Sequence, residues 1–322
     1  MARRNLDEGK IRETKLSRAR FLQVTAAGAG LLAIPSLASC GLGGGGGGGQ
    51  TSLRLAGFAD YQKPTDTMIE RFRKENRDVT FETTYAPVDQ LQSSLRPQLA
   101  SANAPDIHTV WPGNGNALAM VPLVDANLLE PLSDQPWADE IPESYKPVFT
   151  VEGETYFFAP TASMIGAIYN KGVFDDLGLQ IPQTWDELLS TCEEVKADGK
   201  HPIALGNQTP WVTQLINYAL VASTVFAENP DFAEEHLEGK TSFPESGWRE
   251  AFEKYMELEE RGYFNPNSLG TSYEQQLQMV ASGEAAMAVQ TSGGVPQIES
   301  YGEPGQFAMF AFPGVNDPEK VW

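Results

Sequence analysis

The chain has 322 residues, 41 % hydrophobic and 10 % aromatic, which is long enough for two domains with separate cores. Its net charge of −20 is uneven, because residues 1–39 carry seven basic and three acidic side chains and leave −24 to the remainder. An acidic body of this kind is repelled by phosphate backbones, which argues against nucleic acid as a partner and mildly favours a neutral or cationic ligand.

Residues 1–39 have the layout of a signal peptide. A basic region ends at Arg20, and a mostly apolar run follows from Phe21 to Ser39. Pro35 makes that run a poor permanent membrane span. Residues 17–22 resemble a twin-arginine export motif, but Ala19 stands where that motif has its second arginine. Export by the Sec route and export by the twin-arginine route therefore both stay open. A buried N-terminal helix is the competing interpretation.

Residues 40–51 predict an anchor followed by a tether. The sequence Leu37-Ala38-Ser39-Cys40 resembles the bacterial lipobox, which implies acylation of Cys40 and a place on the extracellular face of the cell membrane. The glycine-rich run that follows is typical of a flexible linker. It is not preceded by a strand or followed by the Lys-Ser/Thr pair of a phosphate-binding loop. Without acylation, Cys40 and Cys192 remain candidates for a disulfide in an oxidising compartment.

Strands and helices alternate through the next hundred residues. Strands are predicted at 52–58, 79–85 and 106–110 from their apolar alternation. A helix that opens at Pro64 carries an apolar face with Met68 and Phe72. A second helix, from Asp89, turns leucines inward, although Pro97 interrupts it. This alternation predicts an α/β layer with a parallel sheet.

The middle of the chain contains turns and a crossing. Gly113 and Gly115 begin a dinucleotide-binding pattern, but Leu118 replaces its third glycine, so no such cofactor is predicted. Residues 122–150 read as irregular. Strands at 155–158 and 164–169 flank a predicted hinge at 159–161.

The clearest helix spans residues 184–198. Thr184 and Glu187 fit a capping box, Cys192 falls on the apolar face as a small core residue, and Gly199 ends the helix. Further helices are predicted at 211–226, 246–261 and 271–282, and further strands at 285–291 and 307–312.

Several stretches in this order resemble the sugar-type extracellular solute-binding proteins, the class of maltose-binding protein. The matching stretches are Ala104-Pro105-Asp106-Ile107, Leu129-Glu130-Pro131-Leu132, Gly153 to Pro160, Tyr169-Asn170-Lys171, Thr184 to Leu188, Ser282 to Met287, and Ala308 to Gly314. The resemblance implies an α/β, two-lobe periplasmic-binding-protein-like fold with a ligand cleft between the lobes. It also implies closure about the crossing segments and delivery of ligand to an ABC importer.

On this resemblance, residues 52–158 form the first lobe, 159–312 the second, and 313–322 the start of a return to the first lobe. The chain departs from the family at two places. Val295 and Pro296 follow Gly294 where the family usually has an aromatic residue. Family chains also continue well beyond the equivalent of Trp322, so a C-terminal portion is expected to be missing.

A saccharide offers paired hydroxyls and apolar ring faces, so its site needs carboxylate or amide acceptors and aromatic side chains. The resemblance places eleven candidates for ligand binding at the cleft: Asp60, Tyr61, Trp111, Asn114, Thr161, Ser163, Gln208, Trp211, Thr291, Gly293 and Gly294. The alternatives are that Trp111 and Trp211 are core aromatics and that Asp60 is a solvated turn residue.

The sequence therefore predicts a monomeric, lipid-anchored binding protein without catalysis, cofactor or metal, which takes a sugar or oligosaccharide to ABC permease subunits. A receptor for a polyamine, a peptide or a metal is an alternative. A secreted glycan hydrolase is another, but forty acidic residues beyond position 39 make any carboxylate pair uninformative. His108, His201 and His236 lack the spacing of a catalytic zinc site.

Overall fold

The computed structural model describes residues 51–159 and 162–321. The predicted signal segment, Cys40, the glycine-rich tether and Thr161 lie outside the described residues. We refer to residues 51–159 as the first lobe and to residues 162–321 as the second lobe. The predicted boundaries at 158 and 312 stay predictions.

The first lobe is built on a parallel sheet of three strands. These are β1 (Thr51–Phe58), β2 (Val79–Ala86) and β3 (Ile107–His108), in the order β2-β1-β3. Leu55 of β1 lies opposite Thr83 on one side and Ile107 on the other. The predicted parallel sheet is confirmed, with a third strand shorter than the sequence indicated.

Four helices and a hairpin complete the first lobe. The helices are α1 (Gln62–Glu75), α2 (Val88–Ala100), α3 (Met120–Asp125) and α4 (Lys146–Phe149). Strands β4 (Thr150–Val151) and β5 (Glu154–Thr155) pair as a hairpin. Its two turn residues, Glu152 and Gly153, both have positive φ, which is the geometry of a type I′ turn. This hairpin replaces the strand predicted at 155–158.

The two long helices of the first lobe differ in burial. Helix α2 buries Leu91, Leu95 and Leu99 as predicted, and Pro97 falls in its last turn. Helix α1 forms as predicted but has no buried residue. Met68 is 37 % and Phe72 46 % exposed. The Phe72 ring packs edge-on against Phe81 of β2, with 5.9 Å between ring centroids. The predicted apolar face of α1 is therefore only partly covered.

The second lobe is built on a mixed sheet of four strands. They are β6 (Ile165–Asn170), β7 (His201–Ile203), β8 (Ala285–Thr291) and β9 (Phe307–Phe310), in the order β7-β8-β6-β9. Strand β6 is antiparallel to both β8 and β9, whereas β7 is parallel to β8. The strands predicted near 164–169, 285–291 and 307–312 are confirmed.

Helices cover both faces of this sheet. They are α5 (Lys171–Leu177), α6 (Trp185–Ala197), α7 (Pro210–Val221), α8 (Phe232–Leu237), α9 (Gly247–Glu260), α10 (Tyr273–Ser282) and α11 (Gly294–Glu299). A π-helical turn, Ala222–Phe226, continues α7. Residues 285–290 of β8 are all buried, as expected for a strand packed on both sides. No helix among the described residues has the length and apolarity needed to cross a membrane.

Helix α6 confirms most of its predicted local features. Thr184 caps it, since its hydroxyl accepts a hydrogen bond from the Glu187 amide at 3.2 Å. The reciprocal bond differs from a capping box, because the Glu187 carboxylate accepts from the Gln183 amide instead of the Thr184 amide. Cys192 is fully buried in the core, and burial raises the pKa of its thiol. Gly199 has the left-handed φ of +84° that ends such a helix.

Residues beyond β9 run along the second lobe. The Gly314 amide donates to Ser223, and the Trp185 amide donates to the Val315 carbonyl oxygen, at 3.1 and 3.0 Å. The Asp186 amide donates to the Asn316 side chain. These hydrogen bonds join the segment to the second lobe, and a return to the first lobe stays a prediction.

Asn170 joins three elements of the second lobe, so its replacement by alanine should be costly. Its side-chain oxygen accepts from the Gly172 amide at 2.9 Å and caps α5, while its amide donates to the Val280 carbonyl of α10. Asn170→Ala loses the cap of α5 and the side-chain bond to α10, so we expect a loss of about 1–3 kcal/mol in urea unfolding. Asn76→Ala, which removes an exposed bond to Phe72, should cost under about 1 kcal/mol. Equal losses of unfolding free energy in the two variants would contradict this role of Asn170.

Candidate functional site

Aromatic side chains gather where the strands of the first sheet end. Phe58 is the last residue of β1, and the chain then makes a 3-10 turn, Ala59–Tyr61. The Phe58 ring lies 4.9 Å from the Trp111 ring, which follows β3, and 6.4 Å from the Tyr61 ring. Ligands in open α/β sheets bind beyond the carboxyl ends of the strands, which is where this cluster lies.

The second lobe presents a second aromatic pair. Ser272 and Gln275 form a capping box at the start of α10, which fixes the backbone at Tyr273. The Tyr273 amide donates to the Thr209 hydroxyl at 3.1 Å, which ties α10 to the start of α7. The Tyr273 and Trp211 rings lie 4.9 Å apart.

The two groups meet across the space between the lobes. The Tyr273 hydroxyl donates to the Asp60 carboxylate at 3.3 Å. A methyl group placed on Gly293 would lie 3.3 Å from the Tyr61 hydroxyl, so glycine permits this close approach. The structure thus brings Asp60, Tyr61, Trp211 and Gly293 together, and Phe58 connects Trp111 to them. We call these residues, with Phe58 and Tyr273, the cleft cluster.

Burial governs the protonation of the cross-lobe pair. Burial raises the pKa of Asp60, the hydrogen bond from Tyr273 acts in the opposite direction, and the negative charge of Glu274 raises it further. Burial and the charge of Asp60 raise the pKa of Tyr273, which keeps its hydroxyl a donor. A carboxylate has about four lone-pair sites, so Asp60 can accept bonds from ligand hydroxyls as well as from Tyr273.

The raised pKa of Asp60 predicts a pH-dependent stability. The folded protein binds this proton more tightly than the unfolded chain, whose ordinary value is 3.8. Asp60 therefore favours folding at low pH, and this contribution is lost as the pH rises above 3.8 through the folded pKa. Asp60→Asn abolishes the effect, so urea titrations from pH 3.5 to 7 should show its stability rising relative to the wild type.

Tyr273→Phe is the matched variant for this prediction. The hydrogen bond from Tyr273 opposes the rise in the Asp60 pKa, so its loss should extend the pH dependence to higher pH. If Asp60→Asn followed the pH profile of the wild type, the link to Asp60 would be wrong.

The remaining candidates have other surroundings. Asn114 and Gln208 are exposed, and neither side chain hydrogen-bonds to a described residue. The hydroxyls of Ser163 and Ser292 lie 3.3 Å apart where the chain enters β6, beside Thr291 at the end of β8. Gly294 is buried, and a methyl group there would meet Ile168 at 3.1 Å. Roles for these residues in ligand binding stay predictions.

Two members of the cleft cluster, Phe58 and Tyr273, were not among the predicted residues. Phe58 is the last residue of a predicted strand, and the predicted site residues Asp60 and Tyr61 follow it. Tyr273 follows Ser272, a helix-capping residue type at the start of a predicted helix. The position of Phe58 at the end of a strand and of Tyr273 at the start of a helix is the sequence signal that could have identified them as site residues.

Two other features lie away from the cleft cluster. A cavity of about 750 Å³ is lined by residues of α9 and of the turn before it, both apolar (Phe243, Pro244, Trp248, Phe252 and Met256) and charged (Arg249, Glu253 and Glu260). It contains none of the predicted site residues. Within the described residues, no His, Cys, Asp and Glu side chains cluster in a way that would hold a metal ion.

Known proteins resemble this chain in sequence. The multiple sugar-binding protein of Streptococcus mutans is 25 % identical over 249 residues, which cover 77 % of this chain and 58 % of that protein. An uncharacterized ABC transporter extracellular-binding protein of Pyrococcus horikoshii is 25 % identical over 239 residues, 70 % of this chain and 51 % of its own. The chain thus spans a little over half the length of these curated relatives.

Solved structures resemble it in fold. A protein from Caldanaerobius polysaccharolyticus, described in connection with xylan utilization, superposes with a TM-score of 0.69 at 21 % identity, over 83 % of this chain and 70 % of that one. The chain therefore shares the fold of that protein, and it has two α/β lobes. The family model described as bacterial extracellular solute-binding protein matches residues 56–320. The chain belongs to the bacterial extracellular solute-binding protein family.

Proposed function

We propose that the protein binds a saccharide in the cleft cluster and serves as the extracellular binding component of an ABC importer. The observation that carries this proposal is the meeting of Trp211 and Tyr273 with Asp60 across the lobes. Aromatic faces pack against the apolar side of a sugar ring, and a carboxylate accepts its hydroxyls. Binding sites of this kind are concave and combine apolar walls with a few polar groups.

The relatives support the same ligand class. The Streptococcus mutans relative is named for binding multiple sugars, and the Caldanaerobius structure belongs to work on xylan. The family consists of binding proteins, and the proposal accordingly contains no catalytic step.

Attachment to the membrane is part of the proposal. A lipid on Cys40, followed by a glycine-rich linker, would hold the protein beside permease subunits on the extracellular face. The support is the lipobox-like sequence before Cys40. We propose that the protein works as a monomer, with one cleft for each ligand. Metabolic labelling with a radioactive fatty acid, lost on Cys40→Ser, tests the anchor separately from ligand binding.

Isothermal titration against a ligand panel tests the binding proposal. The panel comprises raffinose, xylotetraose, maltotriose and chitotriose, with spermidine as the non-sugar probe. We expect micromolar or tighter binding of at least one saccharide, with a change in tryptophan fluorescence because Trp111 and Trp211 lie in or beside the cleft. Binding of spermidine alone, or of nothing in the panel by the folded protein, would refute saccharide binding.

A further inference from the structure

We propose that the cleft discriminates by charge, binding neutral saccharides in preference to acidic ones such as uronic acids and sugar phosphates. The inference rests on the proposed function and adds the substrate class. It follows from the distribution of basic side chains around the cleft cluster and from the acidic groups that face it.

Four of the seven residues of the cleft cluster come from long segments without lysine or arginine. Residues 51–321 contain sixteen such side chains, but none lies at 97–145, 201–239 or 262–319. These three segments supply Trp111, Trp211, Tyr273 and Gly293. Among the described residues, the part of the second-lobe wall formed by α10, β8 and α11 therefore contains no lysine or arginine.

The first lobe provides little compensation. Lys63 is exposed in the first turn of α1. Arg54 lies four residues before Phe58, about 13 Å along an extended strand. Its guanidinium donates to the carbonyl oxygens of Asn103 and Ala104, and its backbone amide bonds to Asp106. Arg54 thus lies in the middle of β1, where residues 103–106 engage it.

Negative groups face the same space. Asp60 lies on the first lobe and Glu274 in the first turn of α10, and the negative charge of Glu274 is close enough to raise the pKa of Asp60. The neighbouring hydroxyls of Tyr61 and Tyr273 are neutral dipoles. A ligand carboxylate or phosphate placed here would meet these like charges, and no lysine or arginine in the described residues of α10, β8 or α11 offsets them.

The start of α10, a feature that attracts anions in general, already has most of its backbone donors engaged. The Tyr273 amide donates to Thr209, and the amides of Gln275 and Gln276 donate to the side-chain and backbone oxygens of Ser272. Glu274 adds a negative charge to the same turn, which offsets the partial positive charge at the start of the helix. An anionic ligand therefore has few free backbone donors to use.

Like charges a few ångströms apart in a half-buried site lower affinity by about ten- to a hundredfold. Neutral hydroxyls avoid this penalty and still donate to Asp60. We therefore expect the cleft to accept a neutral oligosaccharide and to bind its acidic counterpart at least about tenfold more weakly.

Titration calorimetry with matched ligand pairs tests this inference. The pairs are xylotetraose with aldotetraouronic acid and galactotriose with trigalacturonic acid, each at pH 7 and at low and high salt. We expect the neutral member to bind at least about tenfold more tightly at low salt, with a smaller gap at high salt because salt screens the repulsion.

Charge reversal at Glu274 provides the second readout. Glu274→Lys should reduce the ratio of the affinities for the neutral and the acidic ligand by about tenfold, since it replaces a repulsive charge with an attractive one. Glu253→Lys, an exposed change on α9 away from the cleft, is the matched control and should leave the gap unchanged.

The outcomes separate the two proposals. Equal binding of both members of a pair, or equal effects of the two lysine variants, would overturn charge discrimination and leave saccharide binding standing. If no saccharide of the panel or of the pairs binds to the folded protein, saccharide binding fails and charge discrimination fails with it.

Discussion

Replacing Trp211 with alanine should weaken saccharide binding by about ten- to a hundredfold, the range typical of a buried aromatic anchor. Trp211 stands at the start of α7 and packs on Tyr273, 4.9 Å between ring centroids. Its removal takes away a flat apolar face and frees Tyr273 to move away from Asp60. Titration calorimetry with the best ligand of the panel measures the loss.

Two variants make this prediction specific. Trp211→Phe keeps an aromatic face and should recover much of the affinity. Trp137→Ala removes a tryptophan that packs on Phe158 in the first lobe, 5.0 Å between ring centroids, and should change affinity less than about twofold. If Trp211→Ala bound the ligand as the wild type does, Trp211 would be a packing residue outside the binding surface.

Replacing Leu188 with alanine should lower the free energy of unfolding by about 2–5 kcal/mol. Leu188 is fully buried on α6, in the core cluster that α6 shares with α7 and α9. The truncation loses apolar contact and leaves a cavity that a close-packed core cannot fully collapse. Urea unfolding followed by tryptophan fluorescence measures the change.

Leu237→Ala is the matched control, because the same side chain is 88 % exposed at the end of α8. It should change stability by less than about 0.5 kcal/mol. A small loss at both positions would mean that the packing around α6 contributes little to the stability of the second lobe.

Periodic patterns predicted most of the architecture. In α2, Leu91, Leu95 and Leu99 recur at helical spacing and are buried, and Cys192 in α6 likewise lies in the core. The pattern in α1 was equally regular, yet Phe72 is exposed. Periodicity shows which side chains share a face, but whether a partner covers that face depends on tertiary structure.

Short elements with ambiguous local signals were missed. Strand β7 has three residues, one of them Pro202, and it is held by pairing with β8 rather than by its own propensity. Helix α11 begins with Gly294 and contains Pro296, residue types that indicate a turn.

The cleft cluster was predicted in part. Strand ends led to Asp60, Tyr61 and Trp111, because the carboxyl edge of a parallel sheet is a known location for ligands. The bond from Tyr273 to Asp60 joins residues 213 positions apart, and sequence alone carries no signal for such a pair. The contribution of the second lobe to the cleft cluster therefore becomes visible only in the tertiary structure.

The burial of Cys192 makes this thiol a reporter of local opening. It is the one cysteine among the described residues, it is fully shielded, and burial raises its pKa, so a thiol reagent reacts only when the second-lobe core opens. Under conditions where reclosing is fast, the labelling rate measures the free energy of that opening. Repeating the measurement with a bound ligand would show by how much ligand binding raises the free energy of opening of the second-lobe core.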